Sequence, residues 1–101
     1  NGEKVRIEMQ SGYTGANDIK QSKVLEAKRI YRESETHTLA VHFDLYNGQV
    51  AFVMLDAIEE IGEHWITRPQ FEGAMVFEIE QNYFVWKITE TPTKYKEMNF
   101  N

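Results

Sequence analysis

Residues 39–55, LAVHFDLYNGQVAFVML, constrain the fold of this chain more than any other stretch. Two alternating runs flank Asn47-Gly48, the strongest short hairpin signal, because a type I′ turn needs positive φ at both central residues. Centred there, the register sets Leu45 against Val50, Phe43 against Phe52 and Val41 against Met54. With Leu39 these make one wholly apolar face. The opposite face carries Ala40, His42, Asp44 and Tyr46 against Gln49, Ala51, Val53 and Leu55. The apolar face is expected to build the core and the polar one to meet solvent. On that basis Phe43→Ala leaves a cavity costing roughly 3–5 kcal/mol. His42→Ala stays within about 0.5 kcal/mol, as at an ordinary surface position.

Other segments repeat the pattern. In KVRIEMQ, 4–10, Val5, Ile7 and Met9 alternate with Arg6, Glu8 and Gln10, as in a half-buried strand. Residues 74–88 read as a second hairpin turning at Gln81-Asn82, with Ile79 against Phe84, Phe77 against Trp86 and Met75 against Ile88. Trp86 then belongs to the core, and Trp65 is the freer tryptophan. Residues 11–18 are a glycine-bearing loop without the Lys-Ser or Lys-Thr of a phosphate-binding loop. Residues 19–34 are rich in helix formers with Asp18 as a possible cap; helix at the start passing into strand near Arg29 is expected. DAIEEIGEHW, 56–65, has the start signals of a short helix: Asp56 as cap, Glu59 three residues on, and Gly62 near the end. Pro92 argues against a regular central strand in the last residues.

The expected fold is therefore α+β and mainly β: one domain over 1–101, with a curled antiparallel sheet of two hairpins and an N-terminal strand. The sheet is half-barrel or sandwich-like, with one or two short helices against it. A length of 101 residues and 42% hydrophobic content suffice for one core without staples. The longest apolar runs fall far short of the roughly 20 residues that span a bilayer. The chain has no cysteine, which removes disulfides, thiolate-bound metals and thiol catalysis. It does not fix the compartment, although a cytoplasmic location is slightly favoured. The chain starts at Asn1, which leaves room for a segment ahead of it.

Charge narrows the choice of partner. The net charge is −5, which suits a basic protein rather than the phosphates of nucleic acid. It is also unevenly placed. Residues 33–63 hold Glu33, Glu35, Asp44, Asp56, Glu59, Glu60 and Glu63 with no Lys or Arg. A docking surface of Asp44, Tyr46, Asp56, Glu59, Glu60, Glu63 and Tyr83 is expected, with the tyrosines as rigid anchors. The function that follows is a small acidic protein-binding domain, such as an inhibitor or immunity-type protein that neutralises a basic partner, a toxin or nuclease for example.

Two other readings stand beside it. A ligand- or carbohydrate-binding β domain would use His42, Tyr46 and Trp65 as lining. A small acid–base enzyme would use His42 and Asp44, two apart on one strand, with Glu78 or Lys87 as a third group. Alternating polar residues are more simply the wet side of a sheet, so no catalytic residue is assigned. His37, His42 and His64 lack the spacing of a zinc site, and neither metal nor cofactor is expected.

Overall fold

Helix-forming side chains settle the ambiguous segment. In the computed structural model, which describes residues 3–88, Gln21–Ser34 form one 14-residue helix, α1. The expected strand near Arg29 is corrected. Leu, Ala, Glu, Lys and Arg cost little in a helix, and Arg29 and Glu33, one turn apart, pair at 2.8 Å. The helix stops where Glu35 enters the left-handed region at φ 54, its N–H bonding the Tyr31 carbonyl. Asp18 does not cap it. Its carboxylate is taken by Arg68, with Nε at 2.7 Å and Nη2 at 3.1 Å.

Seven strands form two sheets: β1 Lys4–Gly12, β2 Asp18–Lys20, β3 Thr36–Asp44, β4 Gln49–Met54, β5 Trp65–Thr67, β6 Met75–Glu78 and β7 Phe84–Lys87. The larger sheet runs β1-β3-β4-β7 and the smaller β2-β6-β5. Neither closes into a barrel, and the mixed α+β, mainly β class is as expected. All pairs are antiparallel except β1 with β3, which are parallel. A parallel pair needs a long crossover; here β2 and α1 supply it.

The β3–β4 hairpin forms, but not on a two-residue turn. Asp44 pairs with Gln49, Phe43 with Val50 and Val41 with Phe52. Gly48 has φ 69 whereas Asn47 is not among the positive-φ residues, so the turn is not type I′. Asp44 organises a wider one. Its Oδ1 accepts the N–H groups of Tyr46 at 3.2 Å and Asn47 at 3.1 Å, and its carbonyl accepts Gly48 N–H at 2.8 Å.

The register shifts by two residues, which keeps each face's membership. What is reversed is which face lies inside. Thr38, Ala40, His42, Asp44, Gln49, Ala51 and Val53 are buried; on the other face Leu39, Val41, Phe43 and Met54 are half-buried and Phe52 is exposed, with Val50, at the bulge of β4, its one buried residue. The inversion extends to β1, whose Val5, Ile7 and Met9 point to solvent. Arg6 lies beside Thr38 and donates from Nη2 to its Oγ1 at 3.2 Å, and Gln10 lies beside His42. Small and polar residues face inward because α1 and the small sheet lie against that side.

The second hairpin is not formed. Strand β6 pairs with β2 and β5, whereas β7 pairs with β4, so the chain changes sheets across residues 79–83, a 3-10 turn covering Gln81–Tyr83. Trp86 is consequently exposed and Trp65 buried, the reverse of expectation. The helix expected at 56–65 is a single 3-10 turn, Leu55–Ala57. Asp56 does not cap it, because its Oδ1 accepts Thr38 N–H from β3 at 2.8 Å. The core of Ile19, Val24, Ala27, Ala51, Val53, Leu55, Trp65 and Phe77 lies between α1 and the two sheets. Among the described residues no helix is long and apolar enough to cross a membrane. The expectation for Pro92 lies outside the described residues.

Candidate functional site

His42 and Asp44 share the inner face of β3 but do not touch. Asn17, in the loop between β1 and β2, stands between them. Its Oδ1 accepts His42 Nε2–H at 2.8 Å, and its Nδ2 donates to Asp44 Oδ2 at 3.0 Å. Gln10 closes the other side of the ring, donating from Nε2 to His42 Nδ1 at 2.7 Å and to the Asp18 carbonyl at 3.1 Å. That donation fixes the tautomer, with the proton on Nε2. Burial pushes the imidazole pKa down, against the charges of Asp44 and Asp18.

Asp44, 0% exposed, is the most heavily bonded acid here. Burial alone would raise its pKa. Donation from the Gln49 side chain, the side chain and N–H of Asn47, and Asn17 outweighs burial and holds it down to about 2. Oδ2 accepts Asn47 Nδ2 at 2.8 Å and Gln49 Nε2 at 2.9 Å, and Gln81 Nε2 reaches Gln49 Oε1 at 2.9 Å. The expectation that His42 and Asp44 face water is therefore corrected. Their polar atoms are spent on tying β1, the β1–β2 loop, the hairpin turn and residue 81 together.

A direct His–acid pair occurs elsewhere. His37 Nδ1–H donates to Asp56 Oδ2 at 2.8 Å, with Tyr31's ring 4.8 Å from the imidazole and Glu3 3.6 Å from Nε2. The Asp56 hydrogen bond raises the His37 pKa, burial opposes it, and the charges of Asp56 and Glu3 add to the rise. For Asp56, burial is outweighed by the Thr38 N–H and His37 hydrogen bonds, so its pKa falls. His64 Nε2 contacts Glu80 at 2.6 Å in a second, more open pair. Among the described residues no group of three or more His, Asp or Glu side chains is arranged to hold a metal ion.

The residues expected to bind a partner separate into three sets. Asp44 and Asp56 are engaged inside the chain, and Tyr83 packs edge-on against Phe77 with ring centroids 6.2 Å apart. Tyr46 is exposed on the β3–β4 turn beside Gly15. Glu59, Glu60 and Glu63 are exposed together on the loop between the 3-10 turn and β5. At the centre of that loop Ile61 is 83% exposed. Sequence reasoning missed it by expecting a helix over 56–65; a lone Ile between Glu-Glu and Gly was the available signal. The loop is anchored from beneath, since Trp65 Nε1–H donates to the Glu59 carbonyl at 2.7 Å.

The residues of the ligand-binding reading do not converge. Trp65 lines a cleft of about 440 Å³ with Ile58, Ile61, His64, Phe77 and Tyr83. His42 lines a separate one of about 300 Å³ with Gln10, Asp18, Lys23 and Phe71. Tyr46 lies in neither. Comparison with protein families, with characterised proteins and with solved structures found nothing that this chain matches.

Proposed function

We propose that this chain is a small acidic protein-binding domain that docks a basic protein through the loop of residues 58–64. One observation carries the reading: an exposed Ile61 stands among the exposed carboxylates Glu59, Glu60 and Glu63. Among the described residues neither Glu59 nor Glu60 has a salt-bridge partner, so both are available to a cation. An apolar anchor ringed by charge is how interfaces combine desolvation at the centre with steering at the rim. The packing of Trp65 beneath the loop limits the entropy lost on docking. Such a domain acts by covering its partner's surface, as an inhibitor or immunity protein does.

Affinity capture from the native source at low and high salt, followed by titration with the captured protein, tests the reading. A basic partner is expected, with affinity falling as salt screens the loop. Ile61→Ala should weaken binding by about tenfold or more through faster dissociation, as for a buried anchor. Glu59→Lys with Glu60→Lys should slow association and flatten the salt dependence. An acidic partner, or an affinity indifferent to both salt and the loop, refutes it.

A further inference from the structure

The outward side of the larger sheet is the strongest anomaly in the molecule. Val5 is 50% exposed, Ile7 55%, Met9 68%, Phe52 38% and Trp86 46%. They come from β4 and from the two edge strands, β1 and β7; between them on the same face Leu39, Val41 and Phe43 are half-buried and Val50 is buried. We infer that this face is the contact surface of a symmetric dimer, in which a second copy packs its own outward sheet face against it. The inference does not depend on the acidic loop or on any basic partner.

Size is the first argument. At roughly 100 Å² of exposed area for each of these side chains, the patch reaches about 500 Å² before the half-buried Leu39 and Val41 are added. That already lies in the upper part of the 300–600 Å² expected for the largest patch on a typical monomer. Two such faces meeting would bury on the order of 1,200 Å², the lower end of what a stable, specific interface needs.

Charge decides what covers the face. The outward positions of β1, β3 and β4 from Val5 to Met9, Leu39 to Phe43 and Val50 to Met54 carry no charged side chain. Arg6 and Glu8 of β1 turn to the α1 side, where Glu8 meets Lys23 at 3.9 Å. Between Val5 and Met9 a basic partner would find nothing to pair with; the exposed carboxylate of Glu3 lies before β1, against His37. A second copy needs nothing but an apolar surface, and it meets no like charge on the face despite the net charge of −5 on each chain. A two-fold axis through the sheet sets the same patch against itself, and two aligned sheets stack at about 10 Å.

Sedimentation velocity of the full chain over a wide range of micromolar concentrations tests this, with far-UV circular dichroism as the control for folding. A dimer is expected, with Phe52→Lys and Met9→Lys each shifting it to monomer at unchanged ellipticity. Acrylamide quenching of Trp86, read in a Trp65→Phe background, should rise in the monomeric variants. Met9 is the more exposed of the two, so Met9→Lys decides the matter if Phe52→Lys alters the fold. A chain monomeric at every concentration overturns the inference. A monomer with Trp86 shielded overturns it in favour of residues 89–101 as the cover. A dimer that survives Phe52→Lys but not Met9→Lys overturns it in favour of pairing along the β1 edge.

Discussion

Replacing Asp44 by Asn changes one oxygen to an NH₂ and leaves the shape of the side chain intact. Asp44 Oδ1 receives two turn N–H groups and Oδ2 receives the amide donors of Asn17, Asn47 and Gln49. Asn has a single acceptor oxygen, so in either orientation its NH₂ confronts donors that then have no partner. At about 1–3 kcal/mol for each orphaned buried donor, the cost at neutral pH is about 3 kcal/mol. A second, independent magnitude comes from titration. The pKa is held at about 2 instead of 3.8, which corresponds to about 2 kcal/mol of stability. Because the folded-state pKa is the lower one, that stability is complete above about pH 4 and is lost as pH falls through about 2. Urea melts of both proteins at neutral and acid pH read the difference, and acids common to both cancel. The gap should be about 3 kcal/mol near pH 7 and shrink by about 2 kcal/mol near pH 2. An Asn variant within about 0.5 kcal/mol at neutral pH, or a gap unchanged by acid, would refute the assignment of Asp44 as the organiser of the turn.

His42→Ala should destabilise by about 2–4 kcal/mol, because it opens a cavity and orphans the buried amides of Gln10 and Asn17; Phe43→Ala, on the half-buried outward face, should cost less in the monomer. Denaturant melts of a monomeric background order the two, and greater loss at Phe43 would contradict the observed faces. The histidines should also titrate in order: by NMR, His42 below its ordinary 6.5 and His37 above it. The raised His37 pKa stabilises the fold below about pH 6.5, and that contribution is lost as pH rises through the folded value. A reversed order would mean that the Asn17–His42–Gln10 ring is not formed.

Much of the secondary structure was legible because it is local. The helix formers at the start of 21–34, the alternation of 39–44 and 49–54, and a turn near Asn47-Gly48 are short-range signals, although the strand expected near Arg29 is helix. Alternation says which residues share a face, but not which face is covered. On β3 the covered side is the less hydrophobic one, Thr38, Ala40, His42 and Asp44. It becomes habitable through small side chains and bonds from Gln10, Asn17 and Arg6, all distant in sequence. Among the described residues no buried side-chain N or O lacks a partner, a satisfaction invisible to pattern reading. The failed second hairpin has a similar cause: Phe77 finds Ile19 and Trp65, and Trp86 finds Val50, across the chain. In the loop of residues 58–64 the acidic residues were legible, whereas the exposure of Ile61 was hidden by the expected helix.

The passage from one sheet to the other at residues 79–83 has a consequence for how the molecule comes apart. Neighbouring strands in the chain, β6 and β7, hydrogen-bond in different layers, and β2 and β3 are divided in the same way around α1. Neither layer is a continuous segment that could peel off as a unit, because each is stitched by chain that belongs to the other. Loss of the small sheet would release the N-terminal end of α1, which follows β2, and free the connections to β1 and β7, the two edge strands of the large sheet. Opening should therefore be concerted, with the two layers sharing one cooperative transition rather than melting as separate subglobal units.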